Sequence, residues 1–132
     1  MKRFSLYAAF VACLVLCGCG ESCDYAVSSE AKSPDGKLKA VVFHRGCGSN
    51  PIDSSEQISI LSSSASSPSG RGNVFIADDE NHAAPLESKA AFEIRVNWES
   101  NSSLVVAYPK NAQVILKKSN VDGVTVNYQV TP

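Results

Sequence analysis

The densest group of side chains that could do chemistry lies between Ala77 and His82, where the chain reads Ala-Asp-Asp-Glu-Asn-His. Three carboxylates and an imidazole this close together could bind a hard cation, and a metal-dependent hydrolase could use Asp78, Asp79 and His82. The spacing differs from that of the calcium-binding loop of EF-hands, and a solvated loop after a strand accounts for the same composition. We predict no metal site here, and these three residues are the candidates if one exists.

His44 is the other residue with catalytic potential, and it alternates onto the same strand face as Leu38, Ala40 and Val42. A general base needs a nucleophile within hydrogen-bond reach. The chain is rich in serine but has no Gly-x-Ser-x-Gly elbow and no phosphate-binding glycine loop. The sequence therefore predicts no catalytic residue, no cofactor and no enzymatic activity, with His44 at the edge of a core or beside Cys47.

The first 18 residues read as an export signal. Lys2 and Arg3 precede an apolar run from Phe4 to Gly18, which is too short to span a bilayer comfortably, since a spanning helix takes ~20 residues. A short apolar run behind positive charges is typical of a secretory signal peptide. Residues 1–18 are therefore predicted to be removed from the mature protein.

The signal ends in Leu16-Cys17-Gly18-Cys19, which resembles the lipobox of bacterial lipoproteins, with Cys17 in place of the usual Ala or Ser. The resemblance implies cleavage between Gly18 and Cys19, followed by diacylglyceryl and palmitate-type acyl groups on Cys19. Two lipid groups give stable membrane anchoring.

The resemblance also bears on the compartment, because Gly20 rather than Asp follows the lipidated cysteine. That residue favours the periplasmic face of an outer membrane. The alternative is ordinary signal cleavage after Gly20, which would release a soluble periplasmic protein.

Removal of the signal changes the cysteine count from five to three, because Cys13 and Cys17 leave with it. Cys19 carries lipid, so Cys23 and Cys47 remain as one pair in an exported chain. Oxidising compartments allow such pairs to persist as disulfides, and this pair lacks the Cys-x-x-Cys spacing of redox-active sites. We predict a structural disulfide between them.

Charge and composition exclude one class of partner. The full chain has 12 basic and 13 acidic residues, and loss of Lys2 and Arg3 takes the net charge from −1 to −3. A nucleic-acid-binding domain normally carries a basic patch and a high pI. The predicted partners are therefore the membrane, through the lipid, and an envelope protein or glycan.

The hydrophobic pattern beyond residue 32 predicts an all-β fold. Phe92, Ile94, Val96 and Trp98 alternate with polar residues, as do alternate positions from Val124 to Val130, and such alternation is typical of antiparallel strands with one buried face. Trp98, Tyr108 and Tyr128 share the apolar positions, which favours a core role over a sugar-stacking platform. The predicted strands are Leu38–Phe43, Gln57–Leu61, Val74–Ala77, Phe92–Trp98, Leu104–Tyr108, Val114–Lys117 and Val124–Val130.

Turn residues complete this prediction. Ser33-Pro34-Asp35-Gly36-Lys37 and Asp122-Gly123 have the composition of tight turns, and the second would link the last two predicted strands. The serine-rich residues 62–72 suggest a flexible, exposed hairpin loop. We predict an antiparallel meander or β-sandwich of about seven strands at 33–132, preceded by a tether at 19–32 that is pinned by Cys23.

Several segments together resemble a family of small exported bacterial proteins, often lipoproteins, described as a domain of unknown function. The segments are Ser33–Gly48 (SPDGK and R-x-C-G), Gln57–Leu61, Gly72–Asp79 (GNVFIADD) and Val96–Trp98. The resemblance covers about residues 33–128 and implies no activity, cofactor or partner. The family has Ala-Thr-Thr after its Cys-Gly pair, whereas this chain has Ser49-Asn50-Pro51, so a shared role of that loop is in doubt.

Three functions follow as hypotheses. The first is a lipid-anchored module of the cell envelope that binds or supports another component without catalysis. The second is an inhibitor or immunity-type protein that blocks a hydrolase with the polar loops at 44–53 and 78–85. The third is the metal-dependent hydrolase described above.

Overall fold

A computed structural model describes residues 23–47, 54–79 and 93–132. The described residues form only strands and turns, and they include no helix that could cross a membrane. The strands are β1 (Cys23–Lys32), β2 (Leu38–Cys47), β3 (Ser54–Ser62), β4 (Phe75–Asp79), β5 (Arg95–Ser100), β6 (Ser103–Pro109), β7 (Ala112–Lys117), β8 (Asn120–Val121) and β9 (Val124–Thr131). The all-β prediction is confirmed.

The strands form two sheets that pack face to face. A five-stranded sheet has the order β1-β2-β3-β4-β7, and a four-stranded sheet has the order β5-β6-β9-β8. One hydrophobic cluster lies between them, and it draws on both sheets. The fold is a small β-sandwich, whose core includes Ala40, Val42, Ile58, Ile60, Phe75, Leu104, Val106, Val124 and Val126.

The meander prediction is wrong for the second half of the chain. After β6 the turn at Lys110 and Asn111 carries the chain to the other sheet, where β7 pairs with β4. The chain then returns, and β9 pairs with β6 in parallel. The Lys110 backbone N–H donates to the Thr131 carbonyl over 3.0 Å, which fixes this crossing point.

The Asp122-Gly123 turn forms as predicted, but it joins different strands. Asp122 and Gly123 have φ values of 50° and 80°, and two successive positive φ angles are typical of a type I′ hairpin turn. The turn connects the two-residue strand β8 to β9, because β7 belongs to the other sheet.

The predicted tether is largely a strand. Residues 23–32 form β1, which pairs antiparallel with β2 along its whole length, with one bulge between Val27 and Ser29. Seven consecutive β1 residues from Asp24 are exposed, because β1 is the edge of its sheet. The part of the chain that the structure describes begins at Cys23, and the predicted signal peptide, Gly18 and Cys19 lie outside it.

The turn between β1 and β2 is the Ser-Pro-Asp-Gly-Lys sequence. Ser33 N–H donates to the Leu38 carbonyl over 2.9 Å, and Gly36 N–H donates to the Ser33 carbonyl over 2.8 Å. Gly36 has a φ of 72°, in the region that glycine adopts without strain. This turn is confirmed as the sequence predicted it.

The serine-rich loop is the hairpin connection that the sequence predicted and is largely exposed, but hydrogen bonds anchor it to the sheet. Residues 63–73, the strap, form most of the connection between β3 and β4 and lie on the outer face of the five-stranded sheet. Lys39 Nζ donates to the Ala65 carbonyl over 2.6 Å, and Gly72 N–H donates to Gln57 Oε1 over 2.6 Å. Val41 and Phe43 on this outer face are consequently fully buried. The strap gives β2 a core on both sides.

Candidate functional site

The predicted disulfide is present and marks one end of the sandwich. Cys23 and Cys47 face each other as the first and last paired residues of β1 and β2, with their Cα atoms 4.1 Å apart. Cys47 is 5% exposed. Strand directions bring other strand ends to the same place, which we call the disulfide end: β2 and β4 finish there, and β3 and β7 begin there.

His44 lies at the disulfide end and is paired with a carboxylate. His44 Nδ1 is 2.9 Å from Glu56 Oε1, and the two residues are directly opposite in the β2–β3 ladder. This hydrogen bond raises the pKa of His44. Burial lowers the same pKa, whereas the negative charge of Asp78 on β4 raises it further. The pair therefore favours the imidazolium form. Among the described residues the sequence missed Glu56, since only the strand register places it opposite His44.

The metal candidates are only partly brought together. Asp78 lies close enough to influence His44 electrostatically, and Asp79 is the last residue of β4 and pairs with Ala112. His82 lies outside the described residues. Across 23–47, 54–79 and 93–132, no three His, Cys, Asp or Glu side chains form a group that could hold a metal ion.

A second polar cluster fixes the strap to β1 and β2. The Tyr25 hydroxyl accepts hydrogen bonds from Arg45 Nε at 3.2 Å and from the Gly70 N–H at 2.9 Å. The bond from Arg45 is the main reason that the pKa of Tyr25 is lowered, and the bond from Gly70 adds to it. The Arg45 guanidinium also lies 5.8 Å from the centre of the Tyr25 ring. These contacts hold the strap, so we assign this cluster a structural role.

The three aromatic candidates face the core. Tyr108 is 8% exposed, and Trp98 and Tyr128 pack against the core cluster. The Trp98 indole N–H donates to the Ala31 carbonyl over 2.8 Å, which ties β5 to the edge strand β1. The Tyr128 hydroxyl donates to the Lys118 carbonyl, and burial raises its pKa to about 12. The core role predicted for these aromatics is confirmed.

The outer face of the four-stranded sheet carries a shallow trough of about 180 Å³. The central strand β6 contributes small side chains, Val105 and Ala107, as its floor. The flanking strands contribute longer polar ones, because Arg95 and Gln129 lie on either side of Ala107 in the register. Strands in a sheet are ~4.8 Å apart, so the walls of the trough are about 10 Å apart.

The walls of the trough are rich in amides. Asn97 and Gln129 line the trough from opposite sides. Asn127 lies beside Val105 in the register but just beyond the lining residues, and it donates to the Ser103 hydroxyl over 3.4 Å. Amide side chains both donate and accept hydrogen bonds. Arg95, which is ion-paired with Glu93 at 2.9 Å, lies toward the disulfide end, and Glu99 lies toward the other end. The trough can therefore offer hydrogen bonds to an extended, polar chain.

Comparison with known proteins gives no relative: neither a family model, nor a curated protein, nor a solved structure matches this chain.

Proposed function

We propose that this chain is a lipoprotein of the bacterial cell envelope, whose β-sandwich is a non-catalytic binding module. The signal peptide is cleaved between Gly18 and Cys19, and lipid on Cys19 anchors the body to the membrane. The observation that carries the proposal is the Cys23–Cys47 disulfide, since such bonds persist in oxidising compartments outside the cytosol.

The trough is the part of the described surface best suited to bind an envelope component, and we assign it an extended glycan. The face of a sheet presents side chains, whereas peptides that add to a sheet need the backbone groups of an edge. The amides of Asn97 and Gln129 match the hydroxyl and acetamido groups of a polysaccharide. The small floor at Val105 and Ala107 leaves room for sugar rings between the walls.

Lipidation is tested by growing the host with a clickable palmitate analogue. The wild-type chain is expected to take up the label and to fractionate with membranes, while Cys19→Ala is expected to do neither. Cys17→Ala is the matched control, because it removes the neighbouring cysteine and brings the motif closer to the usual lipobox. An unlabelled wild type would mean that Cys19 carries no lipid anchor. The chain would then be cleaved after Gly20 and released as a soluble product.

Glycan binding is tested by cosedimentation with insoluble cell-wall polysaccharide of the host. Ala107→Trp fills the floor of the trough, so binding is expected to be lost. Lys118→Trp places the same side chain at an exposed position in the connection between β7 and β8, outside the trough, and is expected to bind as the wild type does. Equal sedimentation of the two variants, or none by the wild type, would overturn the assignment of the trough.

One observation favours a second candidate, the inhibitor or immunity-type protein. The described parts of its two predicted polar loops are strand ends, His44–Cys47 of β2 and Asp78–Asp79 of β4, and both lie at the disulfide end. Capture of a hydrolase from envelope extracts by the wild type, and its loss on substitution of Asp78, would support this function over glycan binding.

A further inference from the structure

The connection between the proposed lipid and the folded body is very short. Only three residues separate Cys19 from Cys23, and a fully extended chain spans at most ~3.6 Å per residue, so their Cα atoms can be no more than about 14 Å apart. Cys23 is in turn fixed by its disulfide to Cys47 at the end of β2. The lipid therefore cannot move far from the disulfide end.

The opposite end of the sandwich lies much farther away. Strands β1 and β2 each have ten residues, and a strand rises ~3.3 Å per residue, so the far end is about 30 Å from Cys23. We call this the far end; it holds the Ser33–Lys37 turn and the β5–β6 turn. Asp35 N–H donates to Asn101 Oδ1 over 2.8 Å, which joins the two sheets there.

We propose that the anchored protein stands upright, with its disulfide end against the lipid headgroups and its far end directed away from the membrane. The proposal rests on the lipidation of Cys19 proposed above. Its partner surface is the bilayer that carries the lipid, and the described features that meet it are Cys23, Cys47, the His44–Glu56 pair and the turn at Lys110.

The alternative is a body that lies on its side, with the exposed edge β1 against the bilayer. The exposed charged side chains of β1 are Asp24, Glu30 and Lys32, but Asp24 adjoins Cys23 at the disulfide end and Glu30 is paired with Lys39. Charge therefore does not separate the two orientations. The tether holds only the disulfide end, and a body attached at one point lies down only where a second contact holds it to the bilayer. The single point of attachment favours the upright orientation.

The orientation decides which surfaces a partner can reach. The trough runs along β5, β6 and β9, so it lies along the membrane normal and remains open to the compartment. The far-end turns are also free. The disulfide end, by contrast, is reachable by components in the membrane plane and not by a soluble hydrolase. An upright body thus favours glycan binding at the trough over inhibition through the ends of β2 and β4.

Amine-to-amine crosslinking of the lipidated full chain in phosphatidylethanolamine vesicles tests the orientation. Lys110 at the disulfide end and Lys37 at the far end are both exposed and can react in the same sample. With a short crosslinker, peptide mass spectrometry is expected to find lipid adducts on Lys110 and none on Lys37. A water-soluble amine reagent should label Lys37 in parallel, which shows that it is reactive.

Two controls separate this inference from the anchor itself. The intact mass of the same sample reports whether Cys19 carries lipid, and the Cys19→Ala chain should give no lipid adduct at either lysine. Insertion of ten Gly and Ser residues after Gly20 lengthens the tether and is expected to allow adducts at Lys37. A lipidated wild type with equal adducts at both lysines, or more at Lys37, overturns the orientation and leaves the anchor standing. A wild type without lipid overturns both.

Discussion

Removal of the disulfide is expected to cost most of the stability that ties β1 to the body. Cys23 and Cys47 are separated by 24 positions, and crosslinking a loop of that size constrains the unfolded chain by about 3.5 kcal/mol in the chain-entropy treatment. The other support of the edge strand is its ladder with β2 and a few contacts such as Trp98 to Ala31, since most of its side chains are exposed. The double variant Cys23→Ser, Cys47→Ser is therefore expected to lose about 3 kcal/mol of unfolding free energy.

The assay is urea denaturation of the mature chain carrying Cys19→Ala, followed by the fluorescence of Trp98. This is the only tryptophan in the sequence, and its indole N–H bonds to Ala31 on β1, so it reports on the docking of that strand. The denaturant dependence should also become steeper, because an uncrosslinked chain exposes more surface on unfolding.

Reduced wild-type protein is the matched control for this prediction. It should have the stability of the double Ser variant, and reductant should leave that variant unchanged. A loss below about 1 kcal/mol would contradict the reasoning, since it lies well under the range of native disulfides in small exported domains. If both cysteines of the exported protein could be alkylated without prior reduction, no disulfide would be present and the prediction would not apply.

Three further outcomes are expected from named contacts. Glu56 raises the pKa of His44, so the pair stabilises the fold fully below the unfolded pKa of about 6.5 and loses that effect as pH rises through the folded pKa. Glu56→Gln should therefore cost up to about 1 kcal/mol of unfolding free energy at pH 5.5 and less at pH 8.5 in denaturation experiments. An equal cost at both pH values would contradict this prediction. Burial raises the pKa of Tyr128 to about 12, so the unfolding free energy of the wild type should fall between pH 10 and 12. Tyr128→Phe should lack that fall. The same dependence of stability on pH in both chains would show that another group titrates. A Cβ at Gly72 would lie 2.8 Å from the Ile58 carbonyl oxygen. Gly72→Ala should therefore lower the midpoint of thermal unfolding by the equivalent of about 1–3 kcal/mol. A neutral result would mean that the strap can shift.

The hydrophobic alternation was sufficient to predict the fold class and most strands. Ile94 is buried, Val96 and Trp98 are half-buried, and their polar neighbours face solvent, as the pattern indicated. Strand β1 was missed because it is an edge: its residues are small and polar and lie exposed on both faces, so they show no alternation. The two residues of β8 are too few to form a pattern.

The pairing of strands could not be predicted from local sequence. Alternation tells which face of a strand is buried but not which strand lies beside it, and so the β4–β7 and β6–β9 pairs appear only in the folded chain. The strap was misjudged for a related reason: its Ser and Gly composition suggested flexibility, yet Lys39 and Gln57 reach it from strands distant in sequence.

The candidate sites also differ in whether the local sequence is enough to predict them. The disulfide could be predicted by counting the cysteines that lie beyond the predicted signal peptide. The His44–Glu56 pair and the trough required the register, because Ala107 forms a floor only when Arg95 and Gln129 lie on either side of it. Outward polar residues on separate strands otherwise look like ordinary solvated positions.

The intact mass of the protein extracted from host membranes, measured without reduction, tests the central claim most directly. The account predicts a chain of residues 19–132 that carries diacylglyceryl and acyl groups on Cys19 and lacks two hydrogens for the Cys23–Cys47 bond. A chain that begins at Glu21, an unmodified Cys19, or a mass with both thiols free would contradict it.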